Sequence, residues 1–149
     1  MARIMIRLMT GMHRLIYRLS GGRIGGGTMN GLQIVFLTTT GRRTGKLRTT
    51  PLTVLVDGEH WVAIASNGGR PVHPAWYRNL VANPAVSLEI RRERIDAIAR
   101  SATPEERAFL WPRITQLARN YAGYQEKTTR EIPLVILERP ERVQRLRAR

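Results

Sequence analysis

The chain has 149 residues, 25 Lys and Arg against 11 Asp and Glu, a formal net charge of +14 and no cysteine. That length suits one domain with a real core, and the lack of cysteine excludes disulfides, thiolate zinc sites, iron–sulfur clusters and cysteine nucleophiles. The charge sits at the ends: nine basic residues and no acid precede Asp57, residues 57–138 are nearly neutral, and residues 139–149 hold five Arg and one Glu.

Residues 2–19 read as a helix within an N-terminal basic amphipathic segment, 1–20. Arg3, Arg7, Arg14 and Arg18 fall within about 60° of arc at 100° per residue, and Ile4, Leu8, Leu15 and Ile16 lie on the other side. Such a helix either lies in an anionic membrane interface or packs on its own domain with a solvated Arg face. No apolar run approaches the ~18–20 residues of a membrane span. Arg interrupts any signal-like apolar core. A Gly-rich connector, 21–31, follows.

The next elements are short and hairpin-connected. Leu32–Thr40 reads as a strand, 41–46 (GRRTGK) as a tight turn, and 47–56 as the partner strand, with Pro51 marking an edge or a bulge. Asp57-Gly58 is a second turn and 60–66 a third strand. A Gly/Pro loop, 67–74, leads to a short helix over 75–82, stopped by Asn83-Pro84. Residues 86–90 and 94–100 form another antiparallel pair. Thr103 caps a helix with Pro104 at its first position and acids in its first turn; the pattern carries it to about Asn120. Residues 134–137 are a last strand, and 141–149 an Arg-rich tail. Too few crossover helices exist for a doubly wound sheet, so the pattern predicts a mainly β (α+β) domain over 32–140, a small antiparallel barrel with flanking helices.

Several familiar sites are excluded. The glycines of 21–31 lack G-x-G-x-x-G and follow a helix; 41–46 is one residue short of a P-loop, and Leu47 stands where Ser or Thr would bind magnesium. His13, His60 and His73 are scattered and give no metal-ligand pattern. The basic residues lack the interleaved aromatics of a single-strand binder, so no nucleic-acid partner is expected; a non-catalytic polyanion-binding or membrane-binding module is the other-class alternative.

Three segments carry chemistry. Arg42, Arg43, Lys46 and Arg48 surround a glycine-flanked turn with no acid before Asp57. This is either a solvated charged turn or an anion site built from guanidinium forks and backbone N–H groups. Ala65-Ser66-Asn67-Gly68-Gly69 runs into Trp76 and Tyr77 at a helix start, either the inward face of that helix (Trp76, Leu80, Asn83) or a wall for a flat ligand. Tyr121 and Tyr124 are either packing groups or proton-donating phenols.

Together LTTTGRRTGKLRTTPL (37–52), ASNGG (65–69), HPAWYRNLVANP (73–84), TPEER (103–107), the spaced Tyr121 and Tyr124 and REIPLVILERP (130–140) resemble the deazaflavin-dependent nitroreductase family. The resemblance implies a split β-barrel, FMN-binding-like fold, coenzyme F420 as cofactor (FMN being the alternative), and hydride transfer to an electron-poor acceptor such as a quinone or nitroaromatic. It places the phosphate contacts on Arg42, Arg43, Thr44 and Arg48, and the cofactor's side chain and ring along Thr49, Thr50, Pro51, Leu52 and Thr53. Ile64, Ala65, Ser66 and Asn67 would present backbone and hydroxyl to the ring, with Ala75, Trp76, Tyr77, Arg78 and Asn79 as the opposite wall. Ser66, Tyr121 and Tyr124 are the implied catalytic residues, Tyr121 as proton donor. Two positions depart from the pattern: Asn67 stands where a lysine is familiar, and Ala118 where a third aromatic can occur, opening the acceptor pocket. The expected setting is cytoplasmic, or peripheral at the inner face of the membrane, with a homo-oligomer open.

Overall fold

A computed structural model describes residues 31–149; the helix expected over 2–19 and nearly all of the connector lie outside them. Strands β1 (Leu32–Thr40), β2 (Leu47–Asp57), β3 (His60–Ile64), β4 (Ala85–Ile90), β5 (Glu93–Ser101) and β6 (Leu134–Glu138) close a barrel in the order β1-β2-β3-β6-β5-β4. Every pairing is antiparallel. A 3-10 turn (Asn67–Gly69) and helix α1 (Ala75–Ala82) link β3 to β4. Helices α2 (Pro104–Leu117) and α3 (Asn120–Glu126) link β5 to β6, and α4 (Pro140–Arg147) ends the chain. This is the split barrel with flanking helices that the strand pattern and the resemblance led us to expect.

Strand alternation builds two cores. Val35, Leu37, Val54, Trp61, Ala63, Leu88, Ala97, Val135 and Leu137 fill the barrel, and α1 drives Trp76 and Leu80 into the same cluster. Leu55, Val62, Ile64, Leu134 and Ile136 face outward under Leu110 and Ile114 of α2. Because β3 and β6 are covered on both faces, they read as continuous apolar runs. Burying each such side chain contributes ~1.5–3 kcal/mol, so the outer cluster ties α2, and through it α3, to the barrel wall.

Two local expectations need correction, the end of the helix from Pro104 and the inward face of α1, and two others are made specific. Pro51 makes no bulge: the β1–β2 register runs unbroken from Leu32↔Leu55 to Thr40↔Leu47 and pairs Phe36 with Pro51. Pairing of β2 with β3 starts only at Val54, so Pro51 lies on a locally open edge, where its missing N–H costs no ladder bond. The helix from Pro104 stops at Leu117, because Ala118 turns extended (φ −140°, ψ 91°), and the tyrosines occupy a separate helix, α3. The inward face of α1 is Trp76, Asn79 and Leu80, with Asn83 exposed. The Arg-rich tail is mostly helical from Pro140.

The opening of α2 follows its sequence signal. The Thr103 hydroxyl accepts from the Glu106 N–H, and the Glu106 carboxylate accepts from the Thr103 N–H at 2.9 Å, a complete capping box. The Arg100 guanidinium donates to both Glu106 oxygens at 2.7 and 2.9 Å and to buried Glu138 at 3.2 Å. These bonds hold the Glu106 carboxyl down at about 2 and tie β5, β6 and α2 together.

Candidate active site

The 41–46 turn is closed by the Gly41 N–H donating to the Lys46 carbonyl at 2.7 Å and the Gly45 N–H to the Gly41 carbonyl at 2.8 Å. Its orientation is fixed from α1. The Asn79 amide, 4% exposed, donates to the buried Thr39 hydroxyl at 3.2 Å, and its oxygen accepts from the Arg42 N–H at 3.2 Å and the Arg42 guanidinium at 3.4 Å. Asn79, expected in the cofactor wall, does line the cavity at this turn, with its amide committed to positioning the turn. Desolvation, then the neighbouring Arg78 and Arg43, hold Arg42 below the usual arginine range. Among the described residues no carboxylate pairs with Arg42, Arg43, Lys46 or Arg48.

A cavity of about 560 Å³ opens here, lined by Arg42, Arg43, Thr44, Arg48, Thr49, Thr50, Ala75 and Trp76 among others. The turn, the start of β2 and the start of α1 therefore meet at one cavity. An unpaired cationic rim above threonine hydroxyls is a donor set suited to phosphate, so these residues fit a phosphorylated anionic cofactor. Arg78 is exposed and close enough to Arg42 to shift it. Tyr77 turns elsewhere: its ring lies 4.8 Å from that of His73, and it lines a separate cavity of about 250 Å³ with Ser101 and Arg107.

Strand β2 leads from this turn to a second region roughly 13 Å away, four residues at ~3.3 Å each. Leu52 packs against the barrel interior and Pro51 is half-buried, so only part of 49–53 faces outward. Thr53 is close enough to the Tyr121 hydroxyl to influence it. Tyr121 and Tyr124 meet edge to face, centroids 5.9 Å apart at 81°, over the outer cluster that contains Ile64. Burial pushes the Tyr121 phenol up, Tyr124 adds to this, and the nearby Thr53 opposes it. The phenol stays protonated at neutral pH and can donate.

The 65–69 loop locks onto this tyrosine helix. Gly69 has φ +79°, and a Cβ there would lie 2.7 Å from the Tyr124 carbonyl oxygen; only glycine lets the 3-10 turn approach α3 so closely. Ile64 and Ala65 are buried, Ile64 pairs with Leu134, and the Ala65 N–H donates to the Pro133 carbonyl at 3.0 Å. Ser66 is 8% exposed. Asn67 takes a left-handed φ of 47° and donates from its amide to the Val72 carbonyl at 2.9 Å. Asparagine tolerates that conformation, and here it closes its own loop where a lysine would supply charge. Ala118 is half-buried at the end of α2, three residues before Tyr121.

Sequence reasoning missed Arg130 and Gln125. Gln125 donates to the Arg130 carbonyl at 2.8 Å and accepts from the Ile132 N–H at 2.9 Å, fixing the segment after α3. Arg130 reaches from there into the 65–73 loop. Its only signal was its place at the head of the REIPLVILERP motif.

The model of a family described as F420H(2)-dependent quinone reductase matches residues 9–139. An F420H(2)-dependent quinone reductase of Mycobacterium tuberculosis is 38% identical over 131 residues, 86% of this chain and 88% of the relative. Among solved structures, the F420-H2 dependent reductase FDR-A is 42% identical with a TM-score of 0.64, covering 70% of this chain and 93% of that one. A second, described as a domain-swapped dimer, is 36% identical with a TM-score of 0.65, covering 85% and 98%.

Proposed function

The chain belongs to the F420H(2)-dependent quinone reductase family, and on that premise we propose how its own residues carry the reaction. It is an oxidoreductase whose cofactor is coenzyme F420. Bound in its reduced form, that cofactor supplies a hydride. Reduction of a quinone to its hydroquinone also needs one proton, and the protein supplies position and that proton.

The observation that carries this reading is the placement of two anchors along β2: a cationic turn without carboxylate partners among the described residues, and a loop and tyrosine pair locked together by Gly69. Arg42, Arg43, Thr44 and Arg48 hold the cofactor's phosphate and acidic tail. Each well-ordered charge-assisted bond contributes ~1.5–3 kcal/mol, less where solvent screens it. Trp76 and Ala75 wall the same cavity, and Thr49, Thr50 and Thr53 offer hydroxyls along the way. Ser66 hydrogen-bonds the ring or the reduced product. Tyr121 gives its phenolic proton to the acceptor oxygen, with Tyr124 bracing its ring. Ala118 leaves room beside Tyr121 for a quinone head. Holding acceptor and ring in near-attack contact is the main catalytic contribution.

The natural setting in this reading is the cytoplasm, with residues 1–20 at the inner face of the membrane near lipid quinones and two copies forming a homodimer. Loss of liposome flotation on deleting residues 1–20 supports the membrane part, and equal flotation rejects it. The central test mixes the protein with F420H2 and a quinone and follows deazaflavin absorbance. Quinone-dependent oxidation is expected. Its absence, with F420 binding also absent at low salt, overturns the site assignment.

A further inference from the structure

We infer that Arg130 is a positioning residue for the reaction, holding the 65–73 loop so that the Ser66 and Asn67 N–H groups aim together at an oxygen of the bound ring. The inference rests on the reading that this loop faces the ring. Arg130 belongs neither to that loop nor to the basic turn.

All three guanidinium nitrogens are spent on the loop. Nε donates to the Arg70 carbonyl at 2.9 Å, Nη2 to the Ser66 carbonyl at 2.8 Å, and Nη1 to the Ala65 carbonyl at 3.3 Å, with His73 Nδ1 at 3.0 Å. A guanidinium has no acceptor, so His73 Nδ1 accepts from it; desolvation, then Arg130 and Arg78, also keep His73 below its ordinary range. No carboxylate pairs with Arg130 among the described residues; Glu131 lies against Arg107 at 3.6 Å. A cation partly desolvated among carbonyls, without a counter-charge, is a poor choice for mere packing.

Peptide planarity says what it does instead. In a trans peptide the C=O and N–H point in opposite directions. The Ala65 and Ser66 carbonyls point at Arg130, so the next N–H groups, of Ser66 and Asn67, point away from it. Ser66 is right-handed helical (φ −73°, ψ −33°) and Asn67 left-handed (φ 47°). That sequence of conformations makes successive N–H groups converge into an anion-accepting concavity. The guanidinium behind the carbonyls polarises both peptides, so the N–H groups gain positive character where an electron-rich oxygen would lie. Gln125 and the Thr128 hydroxyl, which accepts from the Arg130 N–H at 3.4 Å, place the guanidinium from the side of α3. Loop and tyrosine helix are thereby set by one residue.

The test uses the full chain with Arg130→Gln and Arg130→Lys. It reads hydrogen exchange of the Ser66 and Asn67 amides with and without F420, F420 affinity by fluorescence, kcat with F420H2 and a soluble benzoquinone, and Tm. Cofactor should protect these amides in the parent. Arg130→Gln should lose that protection and lower kcat about tenfold to a hundredfold, somewhat less than deletion of a direct oxyanion donor. Affinity should fall far less, because the 42–48 turn is intact. Arg130→Lys, which keeps the charge but not the fork, should fall between. A folded Arg130→Gln with parental protection and kcat overturns the inference, as does an equal fall of affinity, kcat and Tm. If Arg130→Gln does not fold, Arg130→Lys decides: parental kcat overturns the inference, and reduced kcat at parental Tm supports it. Parent amides left unprotected by F420 overturn the underlying placement of the loop, whatever Arg130 does.

Discussion

Gly69→Ala separates the geometry of this site from ordinary glycine chemistry. At Gly69 a new Cβ would stand 2.7 Å from the Tyr124 carbonyl oxygen and 3.1 Å from both Tyr124 Cα and Lys127 Cβ. Two of those atoms are backbone and cannot swing aside. A left-handed φ costs a side chain ~1–2 kcal/mol, and forced overpacking adds ~1–3 kcal/mol. The expected loss is therefore about 2–5 kcal/mol, or roughly 5–15 °C in Tm for a chain of this size. Gly68 is the control. It too is left-handed, at φ +64°, but a Cβ there meets nothing within 4 Å, so Gly68→Ala should show only the conformational cost of ~1–2 kcal/mol. The assay is thermal unfolding of both variants, with F420H2–quinone turnover measured well below both midpoints. Gly69→Ala should also slow turnover, because the 3-10 turn must lift off α3 and shift Ser66 with it. Equal Tm losses at 68 and 69, or full turnover in Gly69→Ala, would refute the claim that this contact sets the site.

Arg43→Ala should weaken F420 binding and its salt sensitivity with little change in Tm; an unchanged fluorescence titration at low salt removes the phosphate role. Asn79→Ala leaves the buried Thr39 hydroxyl and the Arg42 N–H without their partner, costing ~1–3 kcal/mol and loosening the turn, so stability and F420 affinity should fall together in paired melts and titrations. Tyr121→Phe should cut turnover by up to about a hundredfold while affinity stays near parental; equal turnover removes the proton-donor role. Glu106 has a folded-state pKa of about 2 against an ordinary 4.5, so its contribution is full above pH 4.5 and is lost as pH falls towards 2. Discounted for partial exposure, that contribution is about 1–2 kcal/mol, and the Tm gap between parent and Glu106→Gln should close over that window.

The barrel was legible because its signals are local. Period-2 apolar strands and Gly-marked turns give β1 to β6 in order, and the Thr103–Glu106 box marks the start of α2 to the residue. What stayed hidden is set by tertiary contact. Ala118 and Arg119 are good helix formers, and nothing in their sequence stops α2 at Leu117. There the 3-10 turn packs Gly69 on the Tyr124 backbone, and α3 is a separate piece that meets it. Pro51 pointed to an edge or a bulge because a proline cannot donate, and only the pairing of β2 with β3, which starts at Val54, decides for the edge. Arg130 is one arginine among many, and its role depends on three carbonyls and His73, which lie at least 57 positions earlier in the chain.

The same distinction governs the charge. Arg100 meets Glu106 and Glu138, Arg113 meets Asp57 at 2.9 Å, Arg142 meets Glu59 at 3.4 Å, and Arg107 meets Glu131 and the Ile132 carbonyl. These cations are spent on the fold and exert little field at a distance. Arg43, Lys46 and Arg48 are exposed and meet no carboxylate among the described residues. A net charge therefore says less about a ligand than the local balance does. A polyanion-binding surface would need unpaired cations spread along a face. At the turn, Arg42, Arg43 and Arg48 line one cavity, which suits a single phosphorylated molecule.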